Sequence, residues 1–287
     1  MDTSARPALP ALALLFNATV WGLVWLPFKA LQQLGLHPLW ATALIYLAAL
    51  AGLLLWRPRS LRHLARQPHL LGLALAAGLT NVCFNWAITA GDVVRVTLLF
   101  YMMPVWSIAL AWPLLNERPT PMALLRVVLA LGGVLLVLHR PGTAWPLPRE
   151  LADFLALAGG FCFAVTNILV RRWRDTPEEG RVLSMFLGGL TVATALAFSG
   201  AGGPWPGLQP AWLPWVLGVG AAFVAGNLAL QYGAARLRAA VTALIMLTEV
   251  LIATLSSSLL GAAHPTPVVW LGGGLIVLAA ALAVRRG

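Results

Sequence analysis

Polar side chains recur at helical spacing inside otherwise apolar stretches of this chain, and such side chains could bind a small polar molecule. Trp21 and Trp25 are four residues apart in the first stretch, as are Asn81 and Asn85 in the third. Residues at this spacing share one face of a helix. A polar group in hydrocarbon is costly unless it faces protein or water. Each face therefore indicates either hydrogen bonds between helices or a hydrated cavity.

The candidate binding residues combine amides with aromatic walls. Asn81 aligns with Asn227 when the second half of the chain is laid over the first, and Asn85 aligns with Gln231. This pairing predicts amides on both sides of a central axis, which suits a small zwitterion or a polar aromatic compound. The predicted substrate-binding residues are Trp21, Trp25, Asn81, Asn85, Tyr101, Phe163, Asn167, Asn227, Gln231 and Glu249.

Glu249 is the only acidic residue near the middle of a predicted membrane span. An ionisable group in the membrane is a functional hypothesis by default. Glu249 either binds an ammonium group of the substrate or carries a coupling proton, and the alternative is a hydrogen-bonded packing group. Pro27 and Pro104 add polarity, because each leaves a backbone carbonyl without its usual donor. Those carbonyls either accept an ammonium group or only accompany a kink.

These residues lie in a chain that must be solvated by lipid. Of its 287 residues 60% are hydrophobic and 10% are charged, too apolar for a water-soluble core of this size. Each stretch approaches the roughly 20 residues that cross a bilayer. We predict ten spans, at about 8–29, 37–56, 70–90, 94–115, 121–138, 151–170, 181–199, 211–232, 238–261 and 267–284.

The formal charge of +10 has a topological explanation. Most of the 19 basic residues fall in alternate loops, at 57–66, 171–181 and 236–238 and at the two ends of the chain. Basic loops stay in the cytoplasm. We therefore expect a multi-pass protein of a bacterial-type inner membrane with both termini cytoplasmic, and the excess gives no reason to expect nucleic acid as a partner. The acidic and basic segment 171–181 is interpreted as a solvated turn without a functional role.

An internal repeat sets the predicted architecture. Residues 78–81 align without gaps on 224–227, and 119–121 align on 265–267 at the same offset. Five spans per repeat turn the second copy upside down, an arrangement common in secondary transporters. The fold class is an all-α membrane protein with ten transmembrane helices as two inverted five-helix repeats around a central cavity. We expect a first repeat at 1–140, a connector at 141–150 and a second repeat at 151–287.

Other function classes find little support. No HExxH or GxSxG motif occurs, and the five histidines lie near span ends or in loops. Cys83 and Cys162 have no metal or redox spacing and are interpreted as packing residues. We therefore predict no catalytic residues, no metal and no cofactor. Glycines at 132–133 and 272–274 predict close packing of the fifth and tenth spans, within one chain or in a dimer; the oligomeric state is open.

Several motifs resemble those of a known family. Trp21-Gly22, the segment 98–105 ending in Pro104-Val105, and Asn116-Glu117-Arg118-Pro119-Thr120 with the later glycine pair resemble the first repeat of the drug/metabolite transporter superfamily, in its EamA-type branch. The second repeat is similar at 163–172 and at Glu249-Val250. It departs from the pattern at Val250, which replaces a proline, and at Ala262-Ala263; in the first repeat, Ile45 stands where arginine is usual.

The resemblance implies an inner-membrane exporter of amino acids or other metabolites that works by alternating access. The cavity would lie among spans 1, 3, 4, 6, 8 and 9, which also carry the polar faces. The first half, rich in Trp and Tyr, is similar to the aromatic amino acid exporters of the superfamily. The alternative is a proton-coupled exporter of drugs or quaternary ammonium compounds, since aromatic walls serve both substrates.

Overall fold

The computed structural model describes residues 8–58, 67–90, 96, 99–138, 148–259 and 266–285. The regular elements among them are all helical. The first repeat contains α1 (Ala8–Leu23), α2 (Trp25–Gln33), α3 (Pro38–Trp56), α4 (Leu70–Ala90), α5 (Met103–Leu115) and α6 (Pro121–Leu138). The second contains α7 (Leu151–Arg172), α8 (Glu178–Leu196), α9 (Leu213–Arg236), α10 (Ala239–Met246), α11 (Thr248–Leu259) and α12 (Pro267–Arg285).

These helices form the ten predicted spans. Helices α1 and α2 share the first span and α10 and α11 the ninth, while a π-helical turn (Ala197–Ala201) extends α8 and a 3-10 turn (Pro210–Trp212) precedes α9. Five spans are long and apolar enough by themselves to cross a bilayer, and the other five are shorter apolar helices within the described residues. The predicted fold class is confirmed.

Local sequence explains where several helices begin and end. His37 precedes α3, and its Nδ1 accepts a hydrogen bond from the amide of Leu39 at 3.2 Å. Burial lowers the pKa of His37, which favours the neutral imidazole that can act as this acceptor. Helix α7 begins with a capping box between Glu150 and Asp153. Asn116 ends α5 in the left-handed conformation, with φ of 56°.

Packing between the helices follows the inverted repeat. Span 3 (α4) packs on span 6 (α7), and the equivalent pair, span 8 (α9) and span 1 (α1), packs as well. Span 3 also contacts span 7 (α8), just as span 8 contacts span 2 (α3). Span 4 (α5) lies against span 6, and span 9 (α10 and α11) against span 1. Contacts that come in matched pairs are those that a two-fold relation between the halves requires.

The fourth and ninth spans are interrupted at equivalent positions. Tyr101 and Met102 form a turn before α5, and Leu247 separates α10 from α11. The offset that aligns the repeats places Tyr101 over Leu247. Pro104 explains the first break, because proline cannot donate to the carbonyl four residues earlier. The second break has no proline, and there the Val250 amide bonds to the Leu247 carbonyl, three residues back, at 3.2 Å.

Glycines allow the fifth and tenth spans to pack closely, as predicted. A Cβ atom on Gly133 of α6 would lie 2.6 Å from the carbonyl oxygen of Gly272 on α12. A Cβ on Gly132 would meet no atom within 4 Å. The two neighbouring glycines therefore have different roles, and only Gly133 is required by the contact between the helices.

We expect Gly133→Ala to destabilise the protein by about 1–3 kcal/mol, because the new methyl group overpacks a backbone contact. Gly132→Ala is the matched control on the same helix and should be neutral or stabilising by up to about 1 kcal/mol, since alanine favours helix more than glycine does. Thermal unfolding of both purified variants in detergent measures the difference. Equal unfolding temperatures would contradict the packing.

Candidate functional site

A cavity of about 70 Å³ lies between the repeats, near the middle of the spans. Its polar lining comes from Tyr46, Thr80, Asn81, Thr166, Asn227 and Glu249. Its aromatic and thioether lining comes from Trp21, Phe84, Phe100, Met103, Phe163, Met185 and Met246. Both repeats contribute to each kind of surface, so a bound molecule would contact the two halves at once.

Five of the ten predicted binding residues line this cavity: Trp21, Asn81, Phe163, Asn227 and Glu249. The two equivalent asparagines are among them. Asn81 accepts a hydrogen bond from the Tyr46 hydroxyl at 2.8 Å and donates to the carbonyl of Ala77 at 2.9 Å. Asn227 donates from Nδ2 to the carbonyl of Phe223 at 3.1 Å. Each asparagine is thus held by its own helix with its side chain at the cavity.

Glu249 lies where the two interrupted spans meet. The Tyr101 hydroxyl, at the break of span 4, forms a hydrogen bond with the carboxyl group of Glu249, just past the break of span 9. Tyr101 is buried and stands behind the lining, while Glu249 is half-buried and reaches the cavity. A Cβ on Gly22 would lie 2.9 Å from the Glu249 carbonyl oxygen. The absence of a side chain at Gly22 therefore lets span 1 approach this acid.

Two helix N-termini also border the cavity. Helix α5 begins at Met103 and α11 at Thr248, and both Met103 and Glu249 are lining residues. A helix N-terminus carries partial positive charge, which favours an anionic group. At these two ends the charge acts without free amides at the positions described, because Pro104 has no amide hydrogen and the amides of Val105 and Val250 donate to the carbonyls of Met102 and Leu247. The centre of the site thus combines a carboxyl group with two electropositive backbone ends.

Aromatic side chains form the walls. Trp21 stacks on Phe223 with ring centroids 4.7 Å apart and planes inclined by 29°. Phe100 lies 4.7 Å from Phe84 and 6.0 Å from Phe163, again between centroids. These offset contacts hold flat apolar surfaces in place, so the walls can take an aromatic or aliphatic side chain of a ligand.

Three further predicted residues, Trp25, Asn167 and Gln231, lie outside the lining. Trp25 donates from Nε1 to the Ser256 hydroxyl at 3.1 Å, away from the lining. Asn167 is 1% exposed, beyond the cavity toward the end of α7 that carries Arg171 and Arg172. The side chain of Asn85 lies outside the described residues. Gln231 is fully buried and bonded to other side chains.

The partner of Gln231 is a buried arginine that sequence reasoning missed. Arg181 donates from Nε to Gln231 Oε1 at 2.8 Å, and its Nη1 donates to the carbonyls of Trp173, Arg174 and Thr176. Arg181 is 0% exposed, so the interpretation of 171–181 as a solvated turn was wrong for this residue. Its guanidinium group folds the turn onto α9. The mixed charges of the segment hid this role.

Charged residues join three helix ends on the side of the basic loops. Glu117 Oε1 lies 3.4 Å from Arg171 Nε, and Glu117 Oε2 lies 3.7 Å from Arg238 Nε. Arg171 also donates to the Ala235 carbonyl at 2.9 Å, and Arg172 to the Leu114 carbonyl at 2.8 Å. We call Glu117, Arg171 and Arg238 the ion cluster. It connects the end of span 4, in the first repeat, to spans 6 and 9 in the second.

The site has no recognisable metal centre within the described residues, where no three His, Cys, Asp or Glu side chains come together. Tyr46, Thr80 and Thr166 line the cavity and are absent from the predicted substrate-binding residues. Each threonine hydroxyl donates to the carbonyl four residues earlier, at 2.8 and 2.9 Å. Their spacing from Asn81 and Asn167 put them on neighbouring faces, and only the packing of spans 3 and 6 turns them to the cavity.

Comparisons with known proteins agree with this geometry. A model of the EamA-like transporter family matches residues 8–139 and again 150–285. An uncharacterized transporter of Pseudomonas aeruginosa is 29% identical over 192 residues, which cover 61% of this chain and 63% of the relative's length. A solved structure described as "Crystal structure of protein" superimposes with a TM-score of 0.80 at 21% identity, covering 97% of this chain and 98% of the other. That likeness shows the fold alone.

The contact between Gln231 and Arg181 predicts a stability effect. We expect Gln231→Leu to cost about 1–3 kcal/mol or more, because it leaves a buried charged donor without its acceptor. Glu178→Gln is the control: its pair with Arg236, at 3.1 Å, is partly exposed and should be worth about 1 kcal/mol or less. Thermal unfolding in detergent compares the two, and a milder effect from Gln231→Leu than from Glu178→Gln would refute the assignment.

Proposed function

Since the chain belongs to the EamA-like transporter family across both of its halves and is a membrane transporter, we propose that it exports amino acids, aromatic ones included. The two repeats would move around the cavity by alternating access. By the positive-inside rule, the ion cluster and both termini face the cytoplasm of a bacterial-type inner membrane. The substrate would enter from that side and leave at the opposite side.

The observation that carries the substrate class is the juxtaposition at the break of the two spans. The carboxyl group of Glu249 offers a partner to an ammonium group, and the N-terminal ends of α5 and α11 offer partial positive charge to a carboxylate. The stacked walls at Trp21 and Phe100 supply room for the side chain. These three features match the three parts of an amino acid.

The matched helix contacts support alternating access. Span 4 packs on span 6, and span 9 packs on span 1, so each interrupted span rests on the other repeat. If each repeat adopted the conformation of the other, the closed end of the cavity would open and the opposite end would close. A substrate at the central axis is then reached from either side without moving far itself.

A second candidate is export of drugs or quaternary ammonium compounds, which carry no carboxylate. It is favoured by one observation: neither lysine nor arginine is among the lining residues in the described part of the chain. Glu249 and the aromatic walls would suffice for a cation. The two candidates differ in whether the carboxylate of the ligand matters.

Ligand competition separates the candidates. We expect labelled L-phenylalanine to enter proteoliposomes saturably without a pH gradient, and unlabelled L-phenylalanine to compete. Phenylalanine amide lacks the carboxylate and N-acetylphenylalanine lacks the ammonium group, so each should compete at least about tenfold less well, the loss of one charge-assisted hydrogen bond. Movement of tetraethylammonium alone, dependent on a pH gradient, would instead support the second candidate.

Substitution of the central acid tests its role directly. We expect Glu249→Gln to raise the KM for the transported amino acid by about 10- to 100-fold, because a neutral amide replaces the charged partner of the ammonium group. Glu178→Gln, which removes an acid at the start of α8, should leave the KM unchanged. Unaltered kinetics of Glu249→Gln at every pH would remove Glu249 from the site.

A further inference from the structure

Five fully buried side chains have at least one polar atom without a hydrogen-bond partner in the described part of the chain. Asn17 and Arg181 are bonded through their other side-chain atoms. The remaining three make no side-chain hydrogen bond: they are the hydroxyls of Ser107 and Thr242 and both amide atoms of Asn167. Each residue is at most 1% exposed. Burying a polar group without a partner costs free energy, so such groups are rare in folded proteins. One occurs on each of α5, α7 and α10, three helices that pack against one another.

On α7, Asn167 lies between the cavity and the ion cluster. Phe163 lines the cavity, Asn167 follows four residues later, and Arg171 of the ion cluster follows after four more. Residues four apart share a helix face and are separated by about 6 Å along the axis. The unpartnered amide thus occupies the level between the two features, on the face that carries both.

The same order holds on the other two helices. Arg238 of the ion cluster precedes α10, Thr242 follows four residues later, and Met246 at the end of α10 lines the cavity. On α5, Met103 lines the cavity and Ser107 follows four residues later, before the helix ends next to the cluster's acid. On each of the three helices, therefore, a residue that lines the cavity is followed toward the ion cluster by a polar side chain without a hydrogen-bond partner.

We propose that Ser107, Asn167 and Thr242 line the cytoplasmic half of the translocation pathway, which is closed in this structure and becomes hydrated when the ion cluster separates. The inference rests on the proposed transport function and extends it to a route. In the open state, water and the polar groups of the substrate give the three side chains the partners they lack. Their burial then raises the free energy of the closed state and brings the two states closer together.

Gln231 shows what a purely structural amide looks like at the same level. It follows the lining residue Asn227 by four positions on α9. Ala235 follows after four more, and its carbonyl accepts a hydrogen bond from Arg171. Unlike Asn167, it is bonded at both ends of its amide, to Arg181 and Met185. Gln231 therefore makes a permanent structural contact, whereas Asn167 has no hydrogen-bond partner in the closed state.

Asn167→Leu tests the role of the unpartnered amide, because leucine is similar in size and needs no hydrogen bond. A pathway residue should give a transport rate at least tenfold lower, with an unfolding temperature equal to or above that of the parent. A packing residue would leave transport within twofold, and that result would overturn the proposal. Gln231→Leu is the matched control, with a lower unfolding temperature expected.

Cysteine accessibility tests the route without any substrate, so it fails or succeeds independently of the amino acid assignment. In a background with Cys83→Ala and Cys162→Ala, Ser107→Cys and Thr242→Cys are labelled in inside-out vesicles with the membrane-impermeant reagent MTSES. We expect Glu117→Gln, which opens the ion cluster, to speed labelling at least tenfold. Ala109→Cys, on the exposed face of α5, is the control and should remain unlabelled.

Equal labelling rates with and without Glu117→Gln would overturn the proposal, as would equal labelling of Ala109→Cys. Arg238→Gln provides a second way to open the ion cluster if Glu117→Gln does not fold. Failure of L-phenylalanine transport together with accelerated labelling would refute the substrate and keep the route. Normal L-phenylalanine transport with unchanged labelling would keep the substrate and refute the route.

Discussion

Hydrocarbon offers no hydrogen bonds, so every backbone group in the bilayer must be satisfied within the protein, and this constraint fixes where the site can be. In the described part of the chain, helices meet it with breaks in three spans: at Val24 in span 1, at Tyr101 and Met102 in span 4, and at Leu247 in span 9. The breaks of spans 4 and 9 face each other across the repeats, where the side chain of Tyr101 is bonded to that of Glu249. Interrupted helices at membrane depth are tolerated when they are enclosed by protein or line a cavity. The cavity and the broken spans therefore depend on one another.

Close helix contacts make this arrangement rigid on its outer side. Gly160 packs against the Phe100 carbonyl, which Pro104 leaves without an intrahelical donor. That carbonyl is covered by α7 rather than turned to the cavity, whose lining near the breaks includes Glu249 and Met103 at the start of α5. Similarly, Gly78 and Gly188 bring spans 3 and 7 within backbone contact. Both contacts fix the positions of the helices around the cavity without filling the cavity itself.

The spans and the repeat could be predicted from sequence because apolar length and internal register are local properties. The alignment of Asn81 with Asn227 pairs two residues that line the same cavity, since inverted symmetry carries one position onto the other. The same alignment paired Asn85 with Gln231, whose contact with Arg181 depends on how a turn folds back and leaves no periodic signal. The break at Leu247 was equally hidden, because Val250 stands where proline marks the first break. Tertiary contacts decide such positions, and no single-sequence pattern encodes them.

The distribution of satisfied and unsatisfied polar groups also separates contacts that stay from contacts that change. The buried Arg181 leaves Nη2 without a partner, but its Nε and Nη1 tie the turn before α8 to α9 with four hydrogen bonds that would be costly to break. The ion cluster is different, because Glu117 is shared by two arginines at 3.4 and 3.7 Å and keeps some exposure to solvent. Such loose pairs contribute little net free energy and can be exchanged for water. Separation at this end would therefore run between α5, α7 and α10, while α8 and α9 move as one body.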